Sequence, residues 1–225
     1  MAFRPALSYY QQRGHSILTA PTVLAVSAAQ LRTFVRADAT SLPDADAEFI
    51  IKQATDFIEQ ISGLALLHQS WQLTLDSWPG YLEPWWDGVV QAAMSELSSG
   101  KSRWLTLPKY PLSSITSVTT YDEADASTVV TVATVFQVDS QRMPGRLALK
   151  NGQLWPTAPR NTNAIEIIYV AGFGAAAATV PASLQRAVLQ FSSFLYENRG
   201  GCDLQDGFSK SGARDIVSAY SLRGV

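Results

Sequence analysis

Catalysis needs groups that converge, so the titratable and nucleophilic residues are read first. The chain has two histidines, His15 and His68, and neither has a second His, Cys or carboxylate at ligand spacing, which argues against a zinc site. Its one cysteine, Cys202, sits in a polar, glycine-rich stretch with no base beside it, so a catalytic thiol is not expected. Asp44, Asp46 and Glu48 could imitate a metal site. All three open an amphipathic helix, however, where acids complement the positive end of the dipole. Asp122, Glu123 and Asp125 fall in a predicted hairpin turn, an ordinary place for acids. Gly172-Phe-Gly ends a strand but lacks the Lys and Ser/Thr of a phosphate loop, and no Gly-x-Ser-x-Gly elbow occurs. A hydrolase would have to be assembled from dispersed acids. No catalytic residue, cofactor or metal is expected.

The element that organises the chain runs from Ser41 to Gly63. Ala47, Ile50, Ile51, Ala54, Phe57, Ile58 and Ile61 fall on one helical stripe, while Lys52, Gln53, Asp56, Glu59 and Gln60 fall opposite, on the expected wet face. Ser41 marks the start, Pro43 fits the first turn, and Gly63 supplies the stop. A second helix from Pro181 to about Arg199 carries Leu184, Ala187, Val188, Phe191 and Leu195 on one face, the natural cover for the first stripe. Ser27 is a plausible N-cap for a short helix, Ala28 to Val35.

Between the two long helices the period changes from 3.6 to 2. Strands are predicted around Trp71–Leu75 and at Arg103–Leu107, Ile115–Tyr121, Val129–Val138, Arg146–Leu149 and Ala164–Val170. Turn residues separate them, which argues for an antiparallel β region folded as a sandwich or open barrel. Residues 78–102 interrupt this region with a long loop that begins Trp78-Pro-Gly-Tyr81 and contains Trp85 and Trp86. The fold class is therefore α+β: a small helical bundle (21–63 and 181–199) with an inserted antiparallel β domain (64–180). The flanks are an N-terminal arm (1–20) without a period and, over 200–225, a flexible tether with an apolar tail expected to dock on another chain.

Bulk composition narrows the function classes. The 225 residues are 47% hydrophobic and 16% charged, with six Trp and a net charge of −2. That balance gives no basic footprint for tight nucleic-acid binding. No apolar run reaches the ~20 residues of a membrane helix, and the N-terminus has no apolar signal core. One cysteine rules out an internal disulfide framework and suits a reducing compartment. Trp85, Trp86 and Trp104 leave open a carbohydrate-binding module that stacks sugars on exposed rings.

The order of parts resembles a known family. Leu18-Thr-Ala-Pro-Thr with Val26-Ser-Ala-Ala-Gln-Leu, Ile61-Ser-Gly-Leu-Ala-Leu and Gln69-Ser-Trp-Gln-Leu-Thr-Leu-Asp are similar to the opening half of the head–tail connector (adaptor) proteins of long-tailed bacteriophages and gene transfer agents. The similarity continues through Leu107-Pro-Lys-Tyr-Pro-Leu-Ser-Ser-Ile, Pro144-Gly-Arg-Leu-Ala-Leu, Tyr169-Val-Ala-Gly-Phe-Gly, Val180-Pro-Ala-Ser-Leu-Gln-Arg-Ala and Tyr196-Glu-Asn-Arg. It implies a non-enzymatic virion protein that forms a dodecameric ring beneath the portal, extends the DNA channel without reading sequence, and meets a stopper or tail-completion protein. The neighbouring ring's stopper or tail-completion role is the related alternative. The resemblance further implies that a C-terminal segment reaches the portal, here Asp215, Ile216, Val217, Tyr220, Leu222 and Arg223. This chain lacks the family's Pro there and has Ser221-Leu222 between Tyr220 and Arg223. Tyr81, Trp85 and Trp86, on the long loop, are the expected contacts to ring neighbours or tail.

Overall fold

A computed structural model describes residues 13–78, 103–199 and 203–221 of the chain. Two compact units divide these residues. A helical unit holds 19–69, 108–113, 171–199 and 203–221, and a β unit holds 13–18, 70–78, 103–107 and 114–170.

In the helical unit, α1 (Ala28–Val35) starts with a reciprocal cap. The Gln30 N–H donates to Ser27 Oγ (3.2 Å), and the Ser27 N–H donates to Gln30 Oε1 (2.7 Å). Helix α2 is Asp44–Ser62, with Pro43 at its N-cap. Ser41, expected to open this helix, belongs to the preceding turn, where its N–H and hydroxyl each donate to Asp38 Oδ1 at 2.7 Å. Gly63 closes α2 in the left-handed conformation, φ +80°, as its position in the sequence predicts. The covering helix follows after the β unit as Ala182–Glu197 and is labelled α4 below. Ala47, Ile51, Ala54 and Ile58 of α2 and Leu184, Ala187, Val188 and Phe191 of the covering helix are all fully buried in one core. Arg32 of α1 ties the start of α2 by an ion pair to Asp44 (2.5 Å).

The β unit contains two sheets. One has five strands in the order β1-β2-β8-β4-β5 and the other three in the order β3-β7-β6. The strands are β1 Arg13–Thr19, β2 Gln69–Leu75, β3 Trp104–Thr106, β4 Leu112–Tyr121, β5 Ser127–Val130, β6 Phe136–Asp139, β7 Arg146–Leu149 and β8 Ile165–Ala171. The pairs β4–β5, β3–β7 and β6–β7 are antiparallel. Strand β8 alternates between buried and half-buried residues along its whole length.

Two expectations are corrected. The end of the N-terminal arm, which shows no period in the sequence, belongs to a sheet: residues 13–19 form β1. Only His15 of its described side chains is partly buried, so β1 is held by its neighbour's backbone and offers no alternation to read. The single strand expected at Val129–Val138 is broken. Thr131 O accepts the N–H of Thr134 (3.1 Å) and of Val135 (3.3 Å), making a one-turn helix α3 (Val132–Val135) between β5 and β6, which join different sheets. Its β-branched residues had disguised the turn.

Gly172, just after β8, has φ +136°, and a Cβ there would lie 2.3 Å from Leu67 O. Its N–H donates to Pro111 O (2.8 Å). Gly172→Ala therefore carries backbone strain of about 1–3 kcal/mol plus a backbone collision. Gly152→Ala has φ +77° but open space, and carries strain alone. The urea midpoint should fall further for the first variant than the second; equal losses would mean that the close approach at Leu67 contributes nothing.

Candidate functional site

The C-terminal segment is where sequence and structure differ most. The expected flexible tether is helical: α5 spans Leu204–Lys210, capped by Asp203, whose side chain accepts the Gln205 N–H. After Gly212, in the left-handed conformation, α6 spans Ala213–Ser218. Phe208, Ala213 and Val217 are fully buried in the same core as α2 and α4. Phe208 meets Phe57 (5.6 Å) and Phe191 (5.5 Å) edge-on, so α2, α4 and α5 each contribute one ring to a single cluster. Ile216 and Tyr220 are half-buried against this core, and the Tyr220 hydroxyl shares a 2.7 Å hydrogen bond with Ser183 Oγ. Asp215 is exposed. Of the six residues expected on the portal, then, Val217 serves this subunit's own core and Asp215 faces water. Leu222 and Arg223 lie outside the described residues, as do Tyr81, Trp85, Trp86 and Cys202.

A second cluster was not foreseen. Glu59 is only 8% exposed, although the helical repeat assigns it to the wet face. Its carboxylate accepts the Leu66 N–H (2.6 Å) and the Gln69 side-chain amide at both oxygens (2.9 Å each). Lys109 Nζ donates to the carbonyls of Glu59 (2.7 Å) and Leu64 (3.3 Å), and the Tyr110 hydroxyl donates to Ser62 O (2.5 Å). Ser221 Oγ donates to the same Ser62 carbonyl at 3.3 Å, so the end of the tail reaches this cluster too. Burial pushes the Glu59 carboxyl above the usual carboxylate range, opposed by the Leu66 and Gln69 hydrogen bonds and by Lys109. One signal was available in the sequence. An acid near a helix C-terminus opposes the dipole, so its presence there points to a dedicated partner.

The remaining candidates have structural roles. His15 stacks on Trp71 (4.4 Å, 9°) and its Nε2 lies 2.9 Å from the Tyr169 hydroxyl. Asp44 pairs with Arg32, and Glu48 stands 3.9 Å from Lys52. Asp122 Oδ1 accepts the Ala124 and Ala126 N–H groups and so shapes its own turn. Trp104 is 49% exposed with the Arg146 guanidinium 5.4 Å above its ring, itself paired to Asp139 (2.8 Å). Trp78, at the start of the long loop, is buried: it stacks on Trp155 (4.6 Å) and donates to Pro156 O (2.8 Å). Among the described residues no group of three or more His, Cys, Asp or Glu is placed to hold a metal ion, and no helix is long and apolar enough to cross a membrane. A cavity of about 390 Å³ beside α2 and α4 is lined by residues such as Leu42, Asp46, Phe49, Ile50, Leu195 and Arg199.

What these parts define is an α+β scaffold with several packing surfaces. Comparison with solved structures gives it relatives by fold. The chain superposes on one in the neck of an empty gene transfer agent (GTA) particle computed with C6 symmetry, with a TM-score of 0.67, 21% identity, and 88% of this chain and 94% of that chain covered. A chain in the virion of a native GTA particle gives a TM-score of 0.64 at 22% identity, covering 87% of this chain and 93% of that one. One in the neck of a native GTA particle computed with C12 symmetry gives 0.62 at 22%, covering 88% and 94%. No protein-family model matches the sequence, and comparison with curated proteins gives no match.

Two outcomes follow from the packing. Phe208→Ala removes a ring shared by three helices and should destabilise the fold by about 3–5 kcal/mol in chemical denaturation; a tail that hung free would leave the midpoint unchanged. Glu59 binds a proton more tightly in the folded state than in the unfolded one. Its contribution is therefore fully present below the ordinary Glu range and is lost as pH rises through its raised folded value. Glu59→Gln should erase that fall in stability across the same window, with urea midpoints of the two proteins diverging in favour of the variant as pH rises. Parallel pH profiles would show that the carboxyl is not held out of water.

Proposed function

We propose that this chain is a structural protein of a virion neck: a ring-forming head–tail adaptor that stands on the portal and extends the DNA channel toward the tail. One observation carries the reading. The likeness to GTA neck chains runs through 88% of this chain and 94% of those, so it includes both the helical unit and the β unit. A neck computed with C12 symmetry suits a dodecamer of this chain. The next component toward the tail is assigned as a stopper or tail-completion protein.

Physical features support the role. A channel wall must let DNA pass, and a net charge of −2 offers little phosphate attraction to arrest it. Twelve copies would also let a weak portal contact act in parallel, so that avidity holds the ring. The contact assigned to the C-terminus is now narrower than the sequence implied. Val217 belongs to the subunit core, so portal docking falls to Asp215, the outer sides of Ile216 and Tyr220, and Leu222 and Arg223. Tyr81, Trp85 and Trp86 are assigned to ring neighbours or tail.

Removing residues 222–225 tests this and leaves Phe208, Ala213 and Val217 in place. The truncated chain should keep its melting temperature and lose co-sedimentation with portal-bearing heads. Normal co-sedimentation would refute docking through Leu222 and Arg223. An electron-microscopy reconstruction of purified particles that located this chain anywhere but the neck would refute the role itself.

A further inference from the structure

The β unit leaves one sheet edge open. β4 is ten residues long, but β5 pairs with it only from Val118 to Tyr121. Among the described residues no strand lies on that side of residues 114–117, where Ser114 and Thr116 are exposed. β5 itself is the outermost strand, Ser127-Thr-Val-Val130, with no charge and no Pro, and Val129 is 70% exposed. Edges are normally blunted by Lys, Pro or a cover because unpaired N–H and C=O groups invite another chain. Among the described residues no Lys, Pro or covering segment blunts β5, and the unpaired stretch 114–117 of β4 has room beside it for a short strand.

The opposite edge of the same sheet is β1, which starts at Arg13, and residues 1–12 precede it. Taken without β1, that segment does carry a period: Phe3, Pro5, Leu7 and Tyr9 stand at every second position. Its only charged side chain is Arg4, while the turn joining β4 to β5 bears Asp122, Glu123 and Asp125, all exposed. Asp125 is already paired with Arg160 (3.2 Å), which leaves Asp122 and Glu123 to face an incoming cation. A five-stranded sheet places its edges about 19 Å apart. If six of the twelve residues pair, the other six span only about 20 Å, and the chain's own sheet stands in the way. A second copy beside β1 has no such obstacle.

We propose that residues 1–12 of one copy add as a strand to the open β4–β5 edge of the next, with Arg4 against the acidic turn. The joint is head-to-tail, so it propagates around a ring or along a filament. It depends on the edge and the arm, not on the virion reading, and is tested without heads.

The experiment mixes light and isotopically heavy full-length chain, each carrying a photo-crosslinking benzoylphenylalanine in place of Tyr9, at concentrations up to the solubility limit. Mass spectrometry should find light–heavy crosslinks from position 9 into residues 113–130. Arg4→Glu should lower their yield about two- to fivefold, the range that one exposed ion pair supports, and adding Glu123→Arg should restore it. Val129→Lys should reduce the yield as well, with the circular dichroism melt unchanged. Crosslinks confined within single chains, crosslinks that map elsewhere, or no inter-chain product up to the solubility limit would each overturn the proposal. Neck localisation without these crosslinks would sink the arm and spare the adaptor; the crosslinks without neck localisation would do the reverse.

Discussion

An amphipathic helix of nineteen residues cannot stay folded with its apolar face in water, and every other feature of the helical unit answers that constraint. Helix α4 covers most of the stripe of α2, and Phe57 and Phe191 meet across it at 5.2 Å. Two helices leave a gap at that crossing, which Phe208 of α5 fills edge-on to both rings. Burying a ring of this size is favourable by roughly 1.5–3 kcal/mol, with about 0.5–1.5 more for each aromatic pair. A fragment that short could not fold by itself; it is held because its ring completes the cluster of Phe57 and Phe191. The same logic places Ala213 and Val217 in the core and makes the last turns part of the subunit.

Inserting a β region between two helices that must touch imposes a second requirement. Backbone passing the end of α2 needs partners for its N–H and C=O groups where water is excluded. Glu59 serves the Leu66 N–H, Lys109 serves two carbonyls, and the Tyr110 and Ser221 hydroxyls share Ser62 O. Gly172 then lets a third segment approach the Leu67 backbone with no Cβ between them. A buried carboxylate is costly to desolvate, and this one is tolerated because three N–H···O contacts and a nearby ammonium compensate it.

Elements whose stability comes from a side-chain pattern were legible in the sequence. The stripe of α2, its Gly63 stop, the Ser27 cap of α1, the covering helix and β7 all announce themselves through period or capping chemistry. Elements held by something outside their own residues were not. β1 lies in its sheet through backbone pairing and the His15–Trp71 stack. The α5–α6 segment reads as a tether because Gly207 and Gly212 suggest freedom, whereas Gly207 is buried. Glu59 reads as wet because periodicity reports the face of a helix and not the segment that later lies across it. The C-terminal contact residues were expected from the order of family-like segments alone, and no period in the chain marks them.

That distinction bears on which surfaces of this chain any partner could use. Surfaces that must be buried in the free subunit cannot also be kept for a partner without unfolding it, and Val217 and Phe208 are committed in that way. What stays wet among the described residues are groups the subunit can expose at small cost: acids in turns, such as Asp122 and Glu123, and the hydroxyl-bearing edge at Ser114 and Thr116. Each such contact is weak alone, since exposed charges and single added strands contribute little against the entropy of ordering an arm. Repetition changes the balance. In any closed ring of subunits a contact made once per subunit is broken only when its neighbours give way as well, so weak edges suffice wherever copies repeat.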